Sequence, residues 1–224
     1  MLWVALMDRW VQLSLSVELL QWLVFAMISV SFAVTGGGVN RLRNALAEKN
    51  RELANAVGKV REMAIRDDLT GLFNRRHLLD ILERQRALSD GKGVPFAVCY
   101  VDLDHFKKIN DRHGHDWGDR VLRQFSELAL SGMRDGDYFG RLGGEEFLLV
   151  LPQSDAHGAL LVAERLRQRW REQRFDAQGG PATVSLSVGV AAYQDGESVD
   201  ELLNRADQGL YKAKSSGRDQ SQVA

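Results

Sequence analysis

Two pairs of acidic residues stand at the ends of apolar runs in this sequence. Asp102 and Asp104 close the run VPFAVCYVDLD, and Glu145 and Glu146 open a second run directly after two glycines. If the two runs are neighbouring strands, the carboxylates meet in space, and their repulsion favours a bound cation. Hard oxygen ligands suit Mg²⁺, which commonly carries substrate phosphates. Taken alone, Asp104 is expected to be a solvated surface residue.

Glycines and basic residues nearby fit a phosphate ligand. Gly143 and Gly144 can adopt positive φ and leave the backbone open to a bulky anion, although a simple hairpin turn would also explain them. Lys107 follows the first acidic run, and Lys214 and Arg218 lie near the end of the chain. Phosphates, metal ions and a few cations form the usual constellation for phosphoryl or nucleotidyl transfer.

A polar stretch after the first acidic run offers groups for reading a nucleobase. Asn110 and Asp119 supply an amide and a carboxylate, and a carboxylate accepts hydrogen bonds from the N1 and N2 groups of guanine. His113 and His115 form an H-x-H pair without an evident third ligand, so we expect packing or hydrogen-bonding roles instead of a zinc site.

Length and charge restrict the class of protein. The 224 residues suffice for one domain of ordinary size plus a further segment. The formal net charge of -1 argues against a general nucleic-acid binder, which would be basic. Cys99, the single cysteine, lies within an apolar run and is expected in the core. One cysteine cannot form an internal disulfide, which suits a reducing cytoplasm.

Residues 1–35 differ in composition from the rest of the chain. The stretch from Leu19 to Thr35 carries no charge and has the length of a short membrane-spanning helix. Arg41, Arg43 and Lys49 follow it, so the positive-inside rule would place the remainder of the chain in the cytoplasm, tethered to the bacterial inner membrane. The alternative is a helix that docks on a partner or on a second copy of a soluble cytoplasmic chain.

Residues 36–66 carry a seven-residue repeat of apolar positions. Its two series are Val39, Leu46, Leu53, Val60 and Leu42, Lys49, Ala56, Met63. The pattern predicts a parallel two-stranded coiled-coil stalk, the alternative being a lone amphipathic helix packed on the globular domain. Lys49 and Gly58 weaken the seam, which suggests the hypothesis that a signal adjusts the stalk.

Residues 67–224 form the globular part. After a first helix, apolar runs and helical spacings alternate in the order β-α-β-β-α-β, the ferredoxin-like or palm order. The predicted fold class is therefore α+β, with a central antiparallel sheet covered by helices on one face. The coiled-coil stalk and the apolar N-terminal helix precede this core.

Five motifs of the globular part resemble the GGDEF family of diguanylate cyclases. They are DDLTGLFNRR, DLDHFKKINDRHGHDWGD, RLGGEEF, SVGVA and YKAKSSGR. The resemblance covers Asp67 to about Asp219. It implies condensation of two GTP molecules into cyclic di-GMP with release of two pyrophosphates, at a site formed when two domains face each other. A role in biofilm or motility control is also implied by the resemblance alone.

The resemblance also implies roles for individual residues. Asp102 and Glu145 would hold two Mg²⁺ or Mn²⁺ ions, assisted by the Leu103 carbonyl. Glu146 would bind metal or activate the 3′-hydroxyl, and Lys214 would be a further catalytic group. Substrate-binding roles are implied for Phe106, Lys107, Asn110, His115, Asp119, Gly143, Gly144, Lys214 and Arg218.

Regulation is implied by a second group of residues. Arg134 and Asp137 match the R-x-x-D site at which product dimers inhibit the family, and Arg165 matches a second product-binding position. A homodimer is expected, and a regulatory protein binding residues 1–66 is a possible partner.

Asp219 replaces the usual asparagine of the closing motif. Two rival hypotheses are a catalytically silent receptor for GTP or cyclic di-GMP, and a nucleotidyl transferase with a different base.

Overall fold

The computed structural model describes residue 3 and residues 17–33, 43–44, 46–53, 65–177 and 180–224. The chain divides into two compact units, residues 1–60 and residues 61–224. In the first unit, helix α1 covers residues 17–33, and its large apolar side chains are exposed, Trp22 and Phe25 among them. Among the described residues, no helix is long and apolar enough to cross a membrane.

The predicted stalk is described only in part. Residues 46–53 are helical, with Leu46 and Leu53 exposed and Lys49 paired to Glu52 at 2.7 Å. The other seam positions and Gly58 lie outside the described residues. The coiled coil therefore stays a prediction.

The second unit contains an α+β domain. Its elements are β1 (Phe73–Asn74), α2 (Arg75–Lys92), β2 (Phe96–Leu103), α3 (Phe106–His113), α4 (His115–Leu130), β3 (Tyr138–Gly143), β4 (Glu146–Pro152), α5 (Ala156–Arg171), β5 (Phe175–Ala177), β6 (Gly180–Ala182), β7 (Leu186–Ala192), α6 (Val199–Ser215) and β8 (Ser221–Val223). Side-chain caps begin three of the helices, at Asn74, Asp155 and Ser198. Ser198 forms a full capping box with Glu201.

The main sheet has the order β1-β3-β4-β2-β7-β8. Its four central strands pair antiparallel, which confirms the predicted βαββαβ core. The short strands β1 and β8 add parallel edges that the sequence pattern did not predict. Strand β2 lies between β4 and β7, so its end is flanked on both sides by ordered backbone.

Helices cover both faces of the sheet, so the expectation of helices on one face was wrong. One apolar cluster joins α4 and α5 to alternate residues of β2, such as Cys99 and Val101. The other joins α2 and α6 to the intervening residues, such as Phe96 and Val98. Because successive strand residues point to opposite faces, the two clusters lie on opposite sides of the sheet. The strands are apolar on both faces for this reason.

Helix α6 rests directly on the backbone of β7. A Cβ atom added at Gly189 would lie 1.9 Å from the carbonyl oxygen of Ala206 and 2.2 Å from the backbone nitrogen of Leu210. A side chain at residue 189 would therefore push the helix off the sheet. This close contact fixes the height of α6, whose last turn carries Lys214.

Replacing Gly189 by alanine should lower the free energy of unfolding by about 2 kcal/mol or more, because the new methyl group overlaps rigid backbone. Denaturant unfolding measures the loss. Gly91→Ala is the matched control, since an added Cβ there has nothing within 4 Å. It should be neutral or stabilising by up to about 1 kcal/mol. Equal stability of the two variants would contradict the close contact between α6 and β7.

Candidate active site

The acidic residues of the two strands meet at the end of β2. Asp102 is the antiparallel partner of Glu146 on β4, so the two side chains leave the same face of the sheet. Asp102 is 6% exposed, and its neighbour Leu103 is fully buried. The backbone N–H of Leu103 donates to the carbonyl oxygen of Glu145 at 3.3 Å. The predicted meeting of Asp102 with the glutamate pair is therefore present.

The hairpin turns at Gly144 and Glu145, one residue later than the glycine pair suggested. Gly143 ends β3 opposite Glu146, after a shift of register that follows Arg141. Gly144 has φ of 53°, a left-handed conformation that favours glycine, and a Cβ added there would have nothing within 4 Å. The two glutamates consequently differ: Glu145 lies in the turn, and Glu146 lies in the strand.

Arg141 holds this turn in place. Its guanidinium donates to the Gly144 carbonyl at 2.9 and 2.7 Å and pairs with Asp67 at 3.1 Å. Partial burial opposes ionisation of Asp67, but hydrogen bonds from Thr70 and the charge of Arg141 outweigh it and keep its pKa below the usual value. Sequence reasoning missed Arg141, although it stands within RLGGEEF and its partner opens DDLTGLFNRR.

Lys214 pairs with Asp102. The ammonium nitrogen lies 2.8 Å from Asp102 Oδ2. The pKa of Asp102 is raised to about 6, mainly by burial; Lys214 opposes this rise, and the charges of Glu145 and Glu146 add to it. The site therefore holds more negative charge than a single lysine neutralises.

The donor set suits a hard cation. Two carboxylates and a backbone carbonyl, from Asp102, Glu145 and Leu103, are oxygen ligands of the kind that Mg²⁺ accepts. Within the described ranges, no group of three or more His, Cys, Asp or Glu side chains is arranged to hold a metal ion. Mg²⁺ commonly needs fewer side chains, because one or two carboxylates hold it together with water and substrate phosphates. The excess of negative charge around Asp102 favours such a cation.

Tyr100 is a residue that the sequence analysis did not single out. It is half-buried on the same face of β2 as Asp102, two residues earlier. Its side chain lies near the carboxylates of Glu146 and Asp207, whose charges act on it. Burial, followed by the charges of Glu146 and Asp207, raises the pKa of Tyr100 to about 12. The phenol therefore stays neutral beside the Glu146 carboxylate.

The nucleobase residues lie on the helices that follow β2. Asn110 projects from α3 against Gly118 of α4, so close that a Cβ on Gly118 would lie 1.9 Å from Asn110 Oδ1. That oxygen is buried and has no hydrogen-bond partner. Asp119, next to Gly118, is half-buried. Phe106 lies in the core beside Asn110 and contributes apolar contact there.

Other predicted ligands lie at the surface. Lys107 on α3, His115 at the start of α4 and Arg218 after α6 are exposed. The His113 ring contacts Trp117, with centroids 4.9 Å apart, as expected for a packing residue. Asp104 is buried, so the expectation of a solvated surface carboxylate was wrong.

The three predicted inhibitory residues line one pocket of about 570 Å³, which also includes Gln153 and Ser154. Arg134 pairs with Asp137 at 3.0 Å and donates to Ser154 Oγ at 3.0 Å. Arg165 is exposed on α5 and donates to the Gly132 carbonyl at 3.3 Å. Arg134 and Asp137, which are close in sequence, therefore share one surface with the distant Arg165.

Comparison with known proteins gives concordant matches. Residues 64–220 match the family described as "Diguanylate cyclase, GGDEF domain". The response regulator PleD of Caulobacter vibrioides is 41% identical over 173 residues, which cover 75% of this chain and 37% of PleD. The chain thus spans about a third of the length of curated relatives.

Two solved structures resemble the fold. One contains the coiled coil and GGDEF domain of DgcB from Caulobacter crescentus in complex with c-di-GMP; its TM-score is 0.76 at 30% identity, covering 82% of this chain and 97% of that one. The other is diguanylate cyclase SiaD in complex with its activator SiaC from Pseudomonas aeruginosa; its TM-score is 0.71 at 33% identity, covering 99% and 85%. By its motifs, fold and relatives, the chain belongs to the GGDEF-domain diguanylate cyclase family.

Proposed function

We propose that this chain condenses two GTP molecules into cyclic di-GMP and two pyrophosphates. The observation that carries the proposal is the meeting of Asp102, Glu146 and the glutamate-bearing turn beside Lys214. Such a site matches in-line attack of a 3′-oxygen on an α-phosphorus, which requires little beyond positioning and charge neutralisation.

Asp102, Glu145 and the Leu103 carbonyl would hold Mg²⁺ or Mn²⁺, two ions in each active site. When bound, these ions neutralise phosphate charge and polarise the reacting oxygens. Lys214 already neutralises part of the charge of Asp102 and would add a cation for the substrate phosphates. Glu146, fixed on β4 opposite Asp102, would assist the metal ligands or accept the 3′-hydroxyl proton.

The remaining GTP contacts follow from the surrounding loops. Asn110 and Asp119 bind the guanine; Asn110 lies on α3 against Gly118 of α4, and Asp119 follows that glycine. Lys107 and Arg218 bind phosphates, and the open turn at Gly143 and Gly144 admits the nucleotide. His115, exposed at the start of α4, borders the same region.

Turnover needs two domains, so we include a homodimer in the proposal. The exposed Leu46 and Leu53 suit a coiled-coil seam, and a stalk would raise the effective concentration of one domain for the other. The exposed apolar side chains of α1 suit a protein partner. Since SiaD is solved with an activator and aligns over 99% of this chain, we propose that a regulatory protein binds residues 1–66.

Product inhibition completes the proposal. Cyclic di-GMP carries two phosphates and two guanines, and the pocket at Arg134 and Arg165 offers two guanidinium groups beside the Asp137 carboxylate. Guanidinium groups bind phosphate or stack on bases, and a carboxylate accepts from guanine.

The first prediction concerns the reaction itself. The wild-type chain with GTP and Mg²⁺ should form cyclic di-GMP, detected by chromatography and mass spectrometry. Glu145→Ala should lower the rate by at least about a hundredfold, because a metal ligand is lost. Glu127→Ala is the matched control, since Glu127 is an exposed glutamate on α4, outside both proposed sites.

Absence of product from the wild type, with GTP still bound, would support a receptor instead. A missing activator would give the same result, so the assay is repeated with a leucine zipper fused ahead of residue 46. Activity gained in the fusion would assign the silence to missing dimerisation. Continued silence of the zipper-fused dimer would reject the proposed reaction.

A second prediction tests the guanine contact of Asn110 by changing its neighbour Gly118 and leaving Asn110 itself in place. Gly118→Ala should weaken GTP binding about tenfold, because the new methyl displaces the hydrogen-bonding side chain of Asn110. Calorimetric titration with GTP and with ATP measures the affinity and the base preference, and Gly91→Ala is the control. An unchanged preference for GTP in Gly118→Ala would contradict the assignment of Asn110.

A third prediction concerns product inhibition. Arg134→Ala should raise the concentration of cyclic di-GMP that halves the rate by roughly tenfold or more, since a charged hydrogen-bond donor is lost. Arg86→Ala is a matched control, because Arg86 also pairs with an acidic residue three positions away on the surface. Equal inhibition of Arg134→Ala and Arg86→Ala would remove the inhibitory role from this pocket.

A further inference from the structure

The carboxylate of Asp104 is buried and fully engaged. It is 3% exposed. Oδ2 accepts hydrogen bonds from Ser185 Oγ at 2.7 Å and from the backbone N–H of Asp219 at 3.2 Å, and Oδ1 accepts from Ser187 Oγ at 2.8 Å. Burial of a carboxylate costs free energy unless hydrogen bonds compensate, and here three do. The group is therefore committed to protein contacts and is not a metal ligand.

One of these contacts holds a strained loop. Gly217, Arg218 and Asp219 have φ values of 113°, 63° and 47°. Two consecutive residues with side chains in the left-handed region are unfavourable, and such a conformation persists only where surrounding contacts impose it. The N–H of Asp219 is the group that Asp104 binds.

The same loop is anchored at two further points. The Asp219 carboxylate pairs with Arg167 of α5 at 2.8 Å, and the Arg218 N–H donates to the Ala213 carbonyl at 3.0 Å. Arg218 itself stays exposed between these anchors. Its backbone conformation sets the direction of the Cα–Cβ bond, so the anchors limit the region in which the guanidinium can meet a phosphate.

We propose that Asp104 is a positioning residue that acts through Arg218. By holding the Asp219 N–H, it keeps the loop in the left-handed conformation that directs Arg218 toward the triphosphate of GTP. The inference rests on the proposed function only in taking Arg218 as a phosphate ligand. The two aspartates of VDLD then have different roles. Asp104 positions the phosphate-binding loop, and Asp102 belongs to the metal site.

The chemistry of the network separates two variants at this residue. Asparagine keeps an oxygen for Ser185 and Asp219, and its amide can donate to Ser187 Oγ, because a hydroxyl also accepts. Asp104→Asn should therefore retain most of the positioning. Asp104→Ala removes all three contacts and should release the loop.

The experiment is a double-mutant cycle on the full chain. Four proteins are compared: the wild type, Asp104→Ala, Arg218→Ala and the double variant. For each we measure KM and kcat for GTP with Mg²⁺. We also measure the affinity for a GTP analogue that has a methylene group between the α and β phosphorus atoms. Asp104→Ala should weaken GTP binding about tenfold when Arg218 is present. In the Arg218→Ala background the same substitution should weaken binding by less than about twofold. Asp104→Asn should stay within about threefold of the wild type.

Equal losses from Asp104→Ala with and without Arg218 would overturn the inference, because Asp104 would then act independently of that residue. Circular dichroism and thermal unfolding of every variant identify losses that come from unfolding. Where Asp104→Ala does not fold, Ser185→Ala replaces it in the cycle, because it removes one partner of the Asp104 carboxylate, and its loss of affinity should likewise depend on Arg218. If the wild type forms no product, the proposed reaction fails. The analogue affinities still decide whether Asp104 and Arg218 are coupled.

Discussion

The antiparallel register of β2 and β4 is the constraint on which the site depends. It places Asp102 opposite Glu146 at a position that the sheet and α6 largely shield from water. Like charges in such a position repel, and the nearest compensation is the Lys214 ammonium. Lys214 can reach Asp102 because α6 packs against the bare backbone of Gly189. The charge balance at Asp102 thus depends both on the pairing of β2 with β4 and on the contact of α6 with β7.

Both sides of this acidic centre are held by arginine and aspartate pairs. Arg141 connects the Gly144 carbonyl to Asp67, which fixes the hairpin turn. On the other side, Arg167 and Asp104 fix the loop that ends at Asp219. The closing motif has aspartate at residue 219, and the cationic partner explains how a carboxylate is accommodated there. Groups held in advance need little rearrangement when a charged substrate binds.

Sequence patterns were sufficient for much of this arrangement. Apolar runs and helical spacing gave the βαββαβ order, and the acidic pairs at strand ends gave the centre of the site. The patterns could not show that the strands are covered on both faces, because a continuous apolar run does not reveal which elements cover it. Nor could they show that Asp104 is buried, since its partners Ser185 and Ser187 are distant in sequence and common on surfaces.

Glu145 and Glu146 show most clearly that residues adjacent in sequence can have different structural roles. The sequence presents Glu145 and Glu146 as a pair, but the hairpin separates them into a turn residue and a strand residue. Glu146 is fixed by its pairing with β2, whereas Glu145 lies on a turn that glycine makes adaptable. A slip of one residue in the hairpin would exchange their faces. The bulge after Arg141 and the clamp on Gly144 prevent that slip, so the register of this turn determines which carboxylate faces Asp102.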